Sequence, residues 1–137
     1  MFLINGRARI LVTGNVTLTT TAAIVLTTNA TVEWYQRGNT VNMGGKGVIN
    51  GRGFAKDFQL IGLNTCSSIS YGGTVQFTGT VYAPSATVTL EGAADAYGAL
   101  VGYSIELKGG MGLHYDEALN SPQKIRFIAS SWEEVKL

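Results

Sequence analysis

Ile69-Ser70-Tyr71-Gly72-Gly73, Val88-Thr89-Leu90-Glu91-Gly92 and Ile105-Glu106-Leu107-Lys108-Gly109 are three versions of one pattern, an apolar, a polar and an apolar residue with glycine following shortly after. The step from Ile69 to Val88 and the step from Val88 to Ile105 are nearly equal. A second motif keeps pace with the first, because Gly79-Thr80-Val81-Tyr82 precedes Gly98-Ala99-Leu100-Val101 by the interval that separates Ile69 from Val88, as Ser85 precedes Ser104. Two short strands therefore repeat as a unit. A repeat of roughly 18 residues is too small for a propeller blade and contains no helix, which leaves one coil of a parallel β-helix.

Working outward, Val41-Asn42-Met43-Gly44-Gly45 is a fourth copy, set ahead of Ile69 by about ten residues more than one such coil. Period-two alternation fills the chain before about residue 110, and no window there holds a helical apolar stripe. Short pieces such as Ile10 to Val12, Val16 to Leu18, Ile24 to Leu26 and Val75 to Phe77 end in Gly, Asn or Thr clusters that let the backbone turn. The expected fold is all-β, a single-stranded parallel β-helix (β-solenoid) of right-handed sense with about six or seven coils. A flattened β-sandwich also accommodates short, evenly spaced strands. Stacking of like on like at a fixed offset favours the solenoid.

On this reading Val41, Ile69, Val88 and Ile105 form one inner row, and Met43, Tyr71, Leu90 and Leu107 a second. Asn42, Ser70, Thr89 and Glu106 form an outer polar row. The chain is expected to be one domain over 1–137, with coils over about 7–119 and a protruding insertion near 46–62. A C-terminal cap over 120–137, carrying Ile125, Phe127, Ile128 and Trp132, is expected to cover the exposed backbone groups of the last coil.

Composition narrows the function. The 137 residues suit one core. Ten basic and nine acidic residues leave a net charge of +1, too little for a broad field that would hold a nucleic-acid backbone. No apolar run approaches the roughly 20 residues of a membrane span, and Met1-Phe2-Leu3-Ile4 is too short for the apolar core of a signal peptide. A single cysteine, Cys66, excludes an internal disulfide and reads as a small buried filler.

The residues that look chemical are few. His114 and Asp116 share one face of a strand and could hold a cation or work as an acid-base pair. The chain has no second histidine, and one histidine with one carboxylate falls short of the three protein ligands zinc requires, so no metal or other cofactor is expected. The bland reading has His114, Asp116 and Glu117 capping the last coils. Carbohydrate hydrolysis needs paired carboxylates, whereas Asp57, Asp95 and Asp116 are isolated in sequence. Glu91 and Lys108 follow equivalent triplets and are expected side by side as a surface pair.

Trp34 and Tyr35 offer an aromatic contact for a protein or glycan, and alternation turns only one of them outward. Arg52 and Lys56 form a small basic protrusion with the same potential. The threonines of 17–21 and 27–31 recur too irregularly for an ice-binding ladder and are read as strand formers.

The segments Phe77-Thr78-Gly79-Thr80-Val81-Tyr82-Ala83-Pro84-Ser85-Ala86, Tyr97-Gly98-Ala99-Leu100-Val101-Gly102, Leu113-His114-Tyr115-Asp116-Glu117-Ala118-Leu119 and Ser131-Trp132 follow one another at a characteristic spacing. In this the chain resembles the C-terminal β-solenoid domain of unknown function in bacterial type IV pilus-assembly-like surface proteins, from about Arg7 to Trp132. The resemblance implies an envelope-exposed or pilus-associated role and supplies no catalytic residue. Members of that group usually carry a pilin-like apolar helix ahead of the domain, so the chain is expected to be a piece of a longer protein.

The expected function is thus a non-catalytic structural or adhesive module at the cell envelope or outside the cell. Its partners would be a surface protein or glycan, met through Trp34, Tyr35, Arg52 and Lys56. The alternatives are a self-assembling bactofilin-like scaffold that associates through its solenoid ends, and a polysaccharide-active or polysaccharide-binding β-helix.

Overall fold

The structure is a computed structural model and describes residues 1–120. The cap expected over 120–137 lies outside the described residues apart from Asn120. Twelve strands follow in order: β1 (Phe2–Ile4), β2 (Arg7–Val12), β3 (Val16–Leu18), β4 (Ala23–Leu26), β5 (Thr31–Gln36), β6 (Thr40–Met43), β7 (Gly47–Asn50), β8 (Phe58–Gly62), β9 (Ser68–Tyr71), β10 (Phe77–Glu91), β11 (Ala96–Lys108) and β12 (Leu113–Tyr115). Two 3-10 turns, Ala55–Asp57 and Glu117–Asn120, complete the elements described.

Every strand pairing among the described residues is parallel and joins one coil to the next, which makes the chain a β-solenoid of about five turns and excludes the sandwich. Three walls result. The first is β1-β4-β7. The second runs from β2 through β5, β8 and the first half of β10 to β11 and β12. The third runs from β3 through β6 and β9 to the second halves of β10 and β11.

The inner rows pair as expected: Val41 with Ile69, Ile69 with Val88, Val88 with Ile105, and Met43 through Tyr71 and Leu90 to Leu107. Val41, Ile69, Val88, Met43, Tyr71 and Leu90 are buried. At the last full coil the rows emerge, with Ile105 43% and Leu107 48% exposed.

The coil count is corrected to about five. The short, near-constant period holds only after Ile69. Before it, Phe2 pairs with Ile24, Val16 with Val41 and Val41 with Ile69, so each earlier coil takes up more chain than the later ones. The early coils are longer because they build the first wall. The segment 46–62 is also not a simple insertion, since β7 and β8 are coil strands in register with β4 and β5. Only 51–57 lies between them.

From the fourth coil the first wall has no strand among the described residues, and the interior narrows. Side chains shrink to match. In the second wall's inner columns, Val32 and Phe58 give way to Gly79 and Gly98, while Gln36 gives way to Gly62 one coil earlier and then to Ala83. Four aromatic rings fill the wide part in edge contacts, Trp34 to Phe58 at 6.5 Å, Phe58 to Phe77 at 6.0 Å and Phe77 to Tyr71 at 5.0 Å between centroids.

The bend between the second and third walls differs between the last two long strands. β10 spends Pro84, Ser85 and Ala86 between Ala83 and Thr87, while β11 spends only Tyr103 between Gly102 and Ser104. Pro84 has no N–H to give to a ladder, so a register break at that residue leaves no amide donor of its own unpaired. The tighter corner in β11 is why Ile105 follows Val88 more closely than Val88 follows Ile69.

Candidate functional site

The second wall presents the sequence-derived aromatic pair. Strand β5 alternates strictly, so Trp34 points in and is 4% exposed, while Tyr35 points out and is half-buried. Burial removes Trp34 from the expected contact surface. Its indole N–H donates to Gln36 Oε1 at 3.0 Å, and Gln36 Nε2 donates to the Gly14 carbonyl at 2.8 Å. That chain satisfies two buried polar side chains and ties the second coil to the first. Outside, the Tyr35 hydroxyl donates to Glu33 Oε2 at 3.3 Å, and Arg9 Nε donates to the same oxygen at 2.8 Å.

Arg52 is committed to an internal partner. Its Nε and Nη2 donate to Asp57 Oδ2 at 2.9 Å and Oδ1 at 2.5 Å, a fork against a carboxylate that is 1% exposed. The hydrogen bond to Asp57 raises the Arg52 pKa further above its ordinary value. The guanidinium carbon and Lys56 Nζ lie 5.4 and 5.5 Å from the Phe54 ring centre. The basic protrusion is thus a turn fastened to its own carboxylate and ring.

His114 and Asp116 stay apart in role. His114 stacks on Tyr97, its coil neighbour, with ring centres 4.6 Å apart, and His114 Nε2 lies 3.2 Å from Asp95 Oδ2. Asp95 Oδ1 accepts the Gly112 N–H at 2.7 Å. That backbone donor first, and His114 second, hold the Asp95 carboxyl below its usual pKa. Sequence reasoning took Asp95 as isolated and missed its pairing with His114. The signal was present, since Asp95 precedes His114 by the same interval that separates Ile69 from Val88.

Asp116 accepts backbone N–H groups with both oxygens, Ala55 at 3.2 Å and Ala118 at 3.0 Å, and so pins the 51–57 turn to the last coil. Glu117 is exposed at the start of the second 3-10 turn. Glu91 and Lys108 are coil neighbours as expected, but Lys108 Nζ pairs with Glu106 at 3.2 Å. Among the described residues no three His, Cys, Asp or Glu side chains gather as a metal site. Cys66 is fully buried, and burial pushes its thiol pKa up. A hollow of about 260 Å³ opens at the β8–β9 corner, lined by Arg37, Leu63, Asn64 and Thr65. No helix among the described residues is long and apolar enough to cross a membrane.

These features define a class: a parallel β-solenoid whose chemical-looking polar residues mostly fasten its own turns, with one wall presenting aromatic side chains outward. Within that class, residues 3–121 match the family model described as a domain of unknown function, DUF7305, and the chain belongs to that family. No curated protein and no solved structure matches the chain.

Proposed function

We propose that this chain is a non-catalytic structural or adhesive module of a bacterial cell-envelope or pilus-associated protein. The observation that carries this reading is the second wall, where coil stacking fixes outward side chains at sheet spacing before any partner arrives. A surface ordered in advance loses little freedom on binding. The pairing of Arg52 with Asp57 and of Asp116 with two backbone amides also fits a scaffold better than a reaction centre. The type IV pilus context is part of this proposal and rests on the sequence resemblance.

The test is fractionation and surface labelling of the full-length protein in its host, followed by removal of residues 3–121. The expected result is recovery in the envelope fraction and weaker attachment of cells without the domain. Recovery in the cytosol would overturn the reading.

A second reading, a self-assembling bactofilin-like scaffold, draws on the first coil. There Phe2 and Leu3 are exposed, and the inner residues Ile10, Val12, Val16 and Leu18 are only half-buried. Concentration-dependent polymers in light scattering would favour it.

A further inference from the structure

Two parallel columns of side chains run along the outward face of the second wall. One is Leu11, Tyr35, Ile61, Tyr82 and Val101, which are partners in successive coils. The other, on the same face just upstream in each strand, is Arg9, Glu33, Gln59, Thr80 and Ala99. The first column is apolar or aromatic throughout. Leu11 and Val101 are 59% and 44% exposed, and the three between them are half-buried. Interior packing does not demand such a column, because the third wall's outward row is Thr17, Asn42, Ser70, Thr89 and Glu106 over an equally apolar interior.

The spacing selects a ligand class. Successive coils rise by the strand separation of about 4.8 Å, so Tyr35 and Tyr82, two coils apart, stand about 10 Å from each other. In an extended β-1,4-linked glycan each sugar ring advances by about one such coil step, and every second ring presents the same face. Two tyrosines with one coil between them therefore meet equivalent rings. The Tyr35 hydroxyl reaches back to Glu33, which lays its ring along β5 toward the polar column. A ring lying along the sheet offers its face to a sugar, and the column beside it is polar from Arg9 to Thr80. That column would share or exchange with ring hydroxyls the bonds that Glu33 Oε2 accepts from Arg9 and Tyr35 and that Gln59 Nε2 donates to the Lys56 carbonyl.

We propose that this wall binds an extended β-linked glycan lying along the solenoid axis, about one sugar per coil. Tyr35 and Tyr82 stack on alternate rings, and Glu33, Gln59 and Thr80 hydrogen-bond the hydroxyls. The inference rests on the adhesive reading above and names its ligand class.

The test is co-sedimentation of the full chain with insoluble cellulose and chitin, with starch as the α-linked control, followed by titration with soluble oligomers of any polymer that retains it. Retention on cellulose or chitin and not on starch is expected. Tyr35→Ala and Tyr82→Ala should each weaken binding by about fivefold. Tyr82→Phe should keep it, as should Asn42→Ala on the neighbouring wall, whereas Tyr35→Phe, which keeps the ring but releases it from Glu33, should weaken it by less than Tyr35→Ala. If an alanine variant loses its strand signal in circular dichroism, chemical-shift mapping on the unmodified chain decides. The amides of Tyr35, Ile61 and Tyr82 must then move with added oligomer.

Absence of retention on both β-linked polymers, equal retention on starch, or indifference to both alanine substitutions overturns the proposal. So does the finding that those substitutions dissolve a dimer, which would make a second copy the occupant. Retention on intact envelopes with none on either polymer would leave the adhesive reading standing and remove the glycan. Recovery of the full-length protein in the cytosol, with no retention on either polymer, would remove both.

Discussion

The hydroxyl of Tyr71 donates to the Val75 carbonyl at 2.7 Å and accepts the Val48 N–H at 3.4 Å, joining β7, the last strand of the first wall, to the loop that replaces that wall in the next coil. The side chain closes the solenoid where it narrows from three walls to two. Gly47 and Gly73 make room for it, since a Cβ at either position would overlap the phenol, and Gly47 also has a φ of +74°. Tyr71→Phe keeps the ring and orphans both backbone groups. A loss of about 1–2 kcal/mol is expected in urea unfolding, with an unchanged slope.

Gly79 marks the same narrowing on the second wall. A Cβ there would stand 2.8 Å from the Phe58 ring, which fills the interior one coil earlier. Gly79→Ala is therefore an overpacking change and should cost about 1–3 kcal/mol. Gly79→Ala combined with Phe58→Leu should cost less than the sum of the single changes, measured as a double-mutant cycle.

These two sites show what the sequence could and could not reveal. The pairing of Ile69, Val88 and Ile105 was readable because like triplets recur at a nearly constant offset in the narrow coils. The first wall was readable only as one isolated piece, Ile24 to Leu26, because β4 is apolar on both faces and nothing in the pattern joined it to Phe2–Ile4 or Gly47–Asn50, while the outward column of Leu3, Val25 and Ile49 looks like core. The longer early coils then defeated the period count and made β7 and β8 look like an insertion. Of the candidate contacts, the choice between Trp34 and Tyr35 required knowing which face of β5 meets the core. The Arg52 and Asp57 pair required knowing that the turn folds back on itself.

That pair has a clear energetic signature. Asp57 is buried with Arg52 as its forked partner, so Arg52→Ala leaves a buried carboxylate without its guanidinium. The denaturation midpoint should fall by more than it does for Tyr71→Phe. Arg52→Ala with Asp57→Ala should recover part of the loss, because the uncompensated charge is gone. If Arg52→Ala is silent, the turn is not held by this pair.

Asp95 should give the last described coil an acid-sensitive contact. Gly112 and His114 lower its carboxyl pKa below the reference value of 3.8. A carboxyl whose folded pKa is depressed contributes stability above its unfolded value and loses it as pH falls through the lower, folded value. The Gly112 amide should therefore shift in NMR spectra as pH falls below about 4, while amides of buried Val88 and Leu90 stay still. Asp95→Asn retains an oxygen to accept the Gly112 N–H but has no charge to lose, so it should abolish that step. A Gly112 shift that persists in Asp95→Asn would overturn the assignment to Asp95.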